Sequence, residues 1–253
     1  KTYAGSDKKI ANYFNPIPLH SEDSNLVSTA VSSRNSLYFN RLDPKYGAQV
    51  DFNYSQDRTL LTTGFENRTM QSEGVSVRWN AFKAFNSTYS YTNGFKANES
   101  DFYAQQQYHF TYNDVGATFS YQLKTSLRLT AKYDFSLKVN PNDSVGKQTA
   151  QINQLSLEMR YNRLSKNTVT ASLSYASIKY NDRNLQNEQL EYAMLEGLHN
   201  GNNLVWSVGY EQNLTGNIQL SLSYDGRMTG FTSGDKTTLK PVHTGRAEIR
   251  ALF

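Results

Sequence analysis

The residue types that carry chemistry are sparse and scattered. Histidines stand only at His20, His109, His199 and His243, and cysteine is absent. Thiol nucleophiles, disulfide scaffolds and cysteine zinc sites are therefore excluded. Four isolated imidazoles do not make a metal-ligand pattern, so no metal and no cofactor is expected. Serines are abundant, but no alternating segment presents an isolated His–Ser pair of the kind nucleophilic catalysis needs. The carboxylates Glu158, Glu211, Asp225 and Glu248 would suit acid–base work in pairs. Each has an Arg or Lys on the same parity nearby, which reads as charge compensation. Gly94, Gly116 and Gly209 fall in strand-like segments where close packing calls for a missing side chain. They form no phosphate loop, since no helix follows them. The expectation is a protein without catalytic residues.

The elements that would carry these side chains have a period of two. In 127–139, Leu127, Leu129, Ala131, Tyr133, Phe135, Leu137 and Val139 share one face. Arg128, Thr130, Lys132, Asp134, Ser136 and Lys138 share the other. The pattern recurs at 155–162, 169–175, 204–211 and 218–228, and more weakly at 50–54, 75–80 and 115–123. Apolar positions at i and i+2 specify strands rather than amphipathic helices. No run of 18 apolar residues is present, so no membrane-spanning helix is expected.

Alternation suits a soluble sheet, with its apolar face on a core, or a transmembrane barrel, with that face on lipid. Strands of 10 to 14 residues favour the barrel, since a spanning strand needs about 9 to 11. Charges of both signs lie mid-strand on the polar face. Arg78, Arg128, Lys132, Asp134, Glu158, Arg160, Glu211, Asp225, Arg227, Arg246 and Glu248 are expected to form a luminal charge network. Trp79, Tyr133, Tyr161, Tyr175, Trp206 and Tyr224 read as an aromatic girdle toward strand ends. His109, between Tyr108 and Phe110, is placed on the luminal side.

The composition agrees with this class. In 253 residues the mean hydropathy is −0.66, yet Tyr 18 and Phe 13 bring aromatics to 13%. A disordered chain is poor in such residues. The net charge of +4 is too mild to argue for nucleic acid. The expected fold is an all-β, antiparallel transmembrane outer-membrane β-barrel of about fourteen strands, with twelve to sixteen allowed. The spans read 34–42, 46–55, 58–68, 72–82, 86–96, 101–112, 114–123, 126–139, 150–163, 167–181, 187–195, 203–213, 217–229 and 241–253. Long and short connections alternate properly only if 187–195 is loop. Fourteen is preferred because single-chain barrels favour even numbers. Residues 1–33, with Pro16 and Pro18, read as a non-barrel lead-in, plug or periplasmic segment. The barrel is assigned to 34–253.

The last strand puts Gly245, Ala247, Ile249, Ala251 and Phe253 on the outer face. A terminal aromatic closing an alternating strand resembles the C-terminal signal by which bacterial outer-membrane barrels are presented to the insertion machinery. Further segments are similar to very large outer-membrane proteins of Bacteroidota. These are 39–41 with 60–68 (Leu-Leu-Thr-Thr-Gly-Phe-Glu-Asn-Arg), 192–206, 220–227 and 243–253. The resemblance implies the C-terminal β-barrel region of a longer chain in the outer membrane. Trp206, Arg227 and Arg246 are motif positions with a structural role by default. The expected function is a structural, anchoring or complex-subunit role in the cell envelope, in export, uptake or assembly. The alternatives are a passive pore or transporter for small solutes and, third, an outer-membrane hydrolase. The expected partners are outer-membrane lipid, the barrel insertion machinery and further subunits of a membrane complex.

Overall fold

Strand-forming alternation becomes one continuous antiparallel meander. The computed structural model describes residues 2–3, 26–62, 64–103, 107–141, 147–163, 166–181, 188–215, 217–231 and 241–251. The strands are β1 (Thr2–Tyr3), β2 (Leu26–Phe39), β3 (Tyr46–Leu61), β4 (Gly64–Phe82), β5 (Phe85–Ser100) and β6 (Tyr108–Leu123). They continue with β7 (Leu127–Asn140), β8 (Gln148–Arg163), β9 (Asn167–Asn181), β10 (Gly201–Thr215), β11 (Ile218–Phe231) and β12 (Val242–Ala251). One helix, α1 (Glu188–Leu195), lies between β9 and β10. Sheet order equals chain order from β1 to β12. The fold is thus all-β and of the up-and-down barrel class. Among the described residues, no helix is long and apolar enough to cross a membrane.

Among the described residues the long strands number eleven, not fourteen, and the three that differ have physical causes. The expected strand 58–68 straddles the turn between Leu61 and Gly64. The expected strands 101–112 and 114–123 are one, β6, with Thr111 to Val115 paired continuously to β7. The third, 187–195, is α1. Its residues Leu190, Tyr192 and Met194 mimic a strand, but Leu190 and Met194 also stand at i and i+4. These two are buried while Tyr192 is 70% exposed, as one helical face requires. The barrel region also begins earlier than 34, at Leu26. There the outward face, Thr29, Val31, Ser33 and Asn35, is too polar to show as alternation.

Connections sort by end. The strand ends Phe39 and Tyr46, Phe82 and Phe85, Leu123 and Leu127, Arg163 and Asn167, and Thr215 and Ile218 lie at one end. The connections 62–63, 101–107, 141–147, 182–200 and 232–241 lie at the other. With 187–195 part of a connection, short and long alternate from 83–84 onward, whereas 40–45 and 62–63 reverse the order. The short-turn end is built tightly. Arg78 Nη2 donates to the Asp43 carbonyl at 2.6 Å, and Asn80 Nδ2 to the Pro44 carbonyl at 2.5 Å. The Asp43 carboxylate accepts from the Lys45 amide at 2.6 Å. That bond is the main reason its pKa lies below the ordinary aspartate value. Its contribution to the turn is present above the unfolded pKa and is lost as pH falls through the lowered one.

Two faces follow from the pairing register. On the outer face the rows read Ala131–Leu157–Leu173–Trp206 and Tyr133–Leu155–Tyr175–Leu204. Toward the short-turn end comes the row Leu129–Met159–Ala171–Val208. Most of these large apolar groups are solvent-exposed, Leu155 and Leu157 at 46%, while Leu204 and Trp206 are half-buried; Trp79, on the same face of β4, is 54% exposed. On β6 the apolar run is Leu123 to Val115, after which Asn113 and Thr111 follow. On β8 it is Tyr161 to Leu155, after which Asn153 and Gln151 follow. Seven to nine residues at about 3.3 Å each make a band roughly 23–30 Å along the strand. At the 35–45° tilt of barrel strands this is a height of about 16–25 Å, up to that of the apolar band of an outer-membrane barrel. The strands, up to 19 residues in β4, extend beyond the band.

Candidate functional site: the lumen and its docked helix

The concave face carries the polar parity, and the expected charged residues all fall on it. They do not form one continuous network. Lys132 and Asp134 pair at 2.9 Å along β7, and Glu248 pairs with Arg250 at 3.0 Å along β12. Arg78 is a turn cap, as described above. Arg128 stands directly opposite Arg160, with Glu158 one position along β8 facing Thr130 and Ser172. Glu211 faces Thr168 and Ser221, Asp225 faces Ser207 and Thr244, Arg227 faces Val205 and Val242, and Arg246 faces Ser223. Around Arg128, Glu158 and Arg160 lies a hollow of about 470 Å³ lined by hydroxyls, including Ser120, Thr130, Thr170 and Ser207. Hydroxyls carry much of the luminal bonding: Ser156 to Ser174 at 3.0 Å, and Ser120 to Thr130 at 3.2 Å.

The long-loop end is chemically different. Its concave face turns apolar, with Phe110, Tyr112, Ala150, Ile152 and Ile178 buried. Against them packs α1 through Leu190, Met194 and Leu195, all at 2% exposure or less. Burying each such side chain stabilises the docking by about 1.5–3 kcal/mol. The helix forms because 188–195 lacks β-branched residues, and Glu188 and Glu191 lie in the first turn, where the dipole favours anions. It ends where Glu196 and Gly197 adopt φ of 57° and 76°. The Gly197 amide then donates to the Tyr192 carbonyl at 3.1 Å, a left-handed C-terminal cap.

One ion pair fastens the helix. Lys138, 1% exposed, donates from Nζ to Glu196 Oε1 at 2.6 Å. The ammonium is out of solvent while the carboxylate is half-exposed. Asn203, also 1% exposed, clasps the return into β10. Its Nδ2 donates to the His199 carbonyl at 2.8 Å, and its Oδ1 accepts from the Gly230 amide at 3.2 Å. Neither Lys138, Glu196 nor Asn203 stood out in the sequence. The pairing Lys138–Tyr112 on β7 and β6 was readable only after those strands had the right register.

The seat under α1 depends on Gly94. A Cβ there would lie 2.3 Å from the Gln71 carbonyl oxygen and 2.7 Å from the Tyr112 ring. Neither the sheet backbone nor the ring beneath α1 can yield freely. Gly94→Ala is expected to cost about 1–3 kcal/mol as an overpacked site and to lower the temperature of heat-modifiable migration. An unchanged transition would mean that Tyr112 has room to move.

The histidines do not converge. His109 lies on the outer parity, not the luminal one, and stacks on Phe95 at 5.4 Å. It is Phe110 that points inward, because β6 is one strand and parity carries through Thr111 to Val115. His243 lies beside Tyr224, with Nδ1 2.8 Å from the hydroxyl. The expected His20 falls outside the described residues, as does Phe253. The other outer-face positions of the expected insertion signal, Gly245, Ala247, Ile249 and Ala251, lie in β12. Among the described residues no three His, Asp or Glu side chains gather as metal ligands.

Of the expected girdle residues, Trp79 and Tyr161 lie within three residues of the short-turn ends of β4 and β8, while Tyr133, Tyr175, Trp206 and Tyr224 lie further inside their strands. Tyr133 donates to Asn153 at 3.1 Å and Tyr175 to Asn202 at 2.8 Å; Tyr91 does the same to Asn113 at 2.9 Å. Each hydroxyl reaches one row toward the long-loop end, where the outer face turns polar. Trp206 lies flat over Gly226, whose Cβ would sit 2.2 Å from the ring. Trp79 is across the sheet from Tyr46, and Tyr161 from Leu127 and Val169.

No protein-family model matches the chain, and no curated protein matches it. Among solved structures, it is similar to the translocator domain of the autotransporter NalP from Neisseria meningitidis. Identity is 12%, with 89% of this chain and 82% of that one covered and a TM-score of 0.36. It is also similar to LpxR from Salmonella typhimurium, at 10% identity over 88% of each chain, with a TM-score of 0.34.

Proposed function

We propose that the chain is an outer-membrane β-barrel unit whose role is to anchor or build an envelope complex rather than to conduct solutes. The carrying observation is the docked α1, which covers the inner wall of β6 to β9 at the long-loop end with an apolar cluster and a desolvated ion pair. An open pore needs a wet, polar passage through both ends. The exposed apolar band supports the membrane location, and the short turns mark the periplasmic end by the usual asymmetry of such barrels. The partners in this reading are lipid around the band, the insertion machinery at the C-terminal strand, and other subunits of a membrane complex. The resemblance to Bacteroidota proteins suggests the source of such a complex. The role is non-enzymatic in this reading.

Planar-bilayer recording tests it. The protein is expected to give no stable conductance steps. Persistent open-channel steps would favour the pore reading and overturn the anchoring one.

A further inference from the structure

The outer face is not a uniform apolar wall. Two of its rows read Tyr121–Leu129–Met159–Ala171 and Phe119–Ala131–Leu157–Leu173 across β6 to β9. Ala131 and Ala171 interrupt larger neighbours, and a trough of about 460 Å³ lies over them. Phe85 stacks on Phe119 at 6.2 Å and gives the trough an aromatic wall on its β5 side. The two rows lie two and four residues in from the Leu123–Leu127 pair that ends β6 and begins β7. At about 3.3 Å per residue the trough spans roughly 7–13 Å along the strands from the short-turn end.

Cations stand along the rim below it. Lys83 lies in the β4–β5 turn and Lys124 in the β6–β7 turn. Arg163 ends β8 on the outer parity, and Lys166 directly precedes β9. All four are exposed, and residues 83–84, 124–126 and 163–166 contain no acid. The other two connections at this end differ: 40–45 sets Arg41 and Lys45 beside Asp43, and 216–217 is uncharged. Lys124 adopts φ of 54°, a conformation that Gly or Asn takes at less cost. The turn itself does not call for lysine there.

We propose that this trough and rim form a site for one anionic glycerophospholipid of the periplasmic leaflet. An acyl chain lies in the trough over Ala131 and Ala171, and the phosphate sits among Lys83, Lys124 and Lys166. The proposal rests on the membrane reading above. Apolar surface alone takes any chain, and a cationic rim alone takes any anion. The offset of about 7 Å between the two suits a molecule whose charged group precedes its chains by a glycerol.

Native mass spectrometry of the protein released from detergent tests this, with phosphatidylglycerol and phosphatidylcholine of the same chains as probes. Heat-modifiable migration confirms that each variant is folded. One phosphatidylglycerol is expected to stay bound in preference to phosphatidylcholine. Lys83→Gln, Lys124→Gln and Lys166→Gln together should erase that preference, at about fivefold per lysine. Lys45→Gln, in the β2–β3 turn, should keep it. Ala131→Leu with Ala171→Leu fills the trough and should lower retention of both lipids. Equal retention of the two lipids by the unaltered protein would overturn the proposal. So would an equal loss in Lys45→Gln, which means diffuse attraction to a positive end, or full retention with the trough filled. No retained lipid of either kind would also overturn it and leave the trough to side chains of a partner. A wrong membrane reading shows separately, in the tryptophan quenching described below.

Discussion

Glu196→Gln is expected to loosen α1 from its seat, while Lys138→Met leaves it docked. The two partners are not equivalent. Lys138 is 1% exposed and sits between Tyr112 and Ala150, so losing Glu196 leaves a buried ammonium with the more distant Asp114 carboxylate as its counter-charge. Breaking a buried pair from one side costs about 3–5 kcal/mol, and the half-exposed Glu196 puts this case nearer about 2–3 kcal/mol. Lys138→Met removes the charge and keeps the volume, and Glu196 can turn to water. Hydrogen exchange of the α1 amides in detergent checks this. Exchange should rise roughly 30-fold or more for Glu196→Gln and little for Lys138→Met, at about tenfold per 1.4 kcal/mol. Equal effects would mean that the ion pair does not hold the helix. Intermittent conductance in Glu196→Gln alone would tie that helix to the closed state.

The second large effect separates the two faces of one strand. Leu173 lies on the apolar face between Leu157 and Trp206, and Ser172 on the luminal face between Glu158 and Ser207. Leu173→Arg puts a cation in the apolar band and is expected to cost about 2–4 kcal/mol. Ser172→Arg puts the same group beside the Glu158 carboxylate and is expected to be close to neutral. Folded yield in lipid vesicles reads the difference. A reversal of the order would assign the faces the other way, with a dry core inside and water outside.

Much of this was legible from residues alone. Alternation from Leu127 to Val139 fixed the faces of β7, and the same rule located β8 to β11 within a few residues. Alternation carries no information about where a strand stops, however. The turn at 62–63 lies within Leu-Leu-Thr-Thr-Gly-Phe, a segment that reads as strand throughout, and Gly64 with φ of 121° is its only marker. Tyr108 to Leu123 reads as two strands because it exceeds the length that a bilayer requires. α1 was hidden because Leu190, Tyr192 and Met194 satisfy a period of two as well as one helical face. The misplacement of His109 followed from that false break in β6. The candidate site suffered most. Lys138 looked like one more luminal cation, and its burial depends on a helix 50 residues further on.

Outward apolar side chains in lipid are the central claim, and the two tryptophans report on it directly. Trp79 and Trp206 are the only tryptophans in the chain, and both stand on the apolar face. The measurement is fluorescence quenching of the protein in bilayers by acyl-brominated lipid, set against quenching by aqueous iodide. The account predicts strong quenching by the brominated chains and weak quenching by iodide. Strong iodide quenching with no effect of the brominated lipid would contradict it.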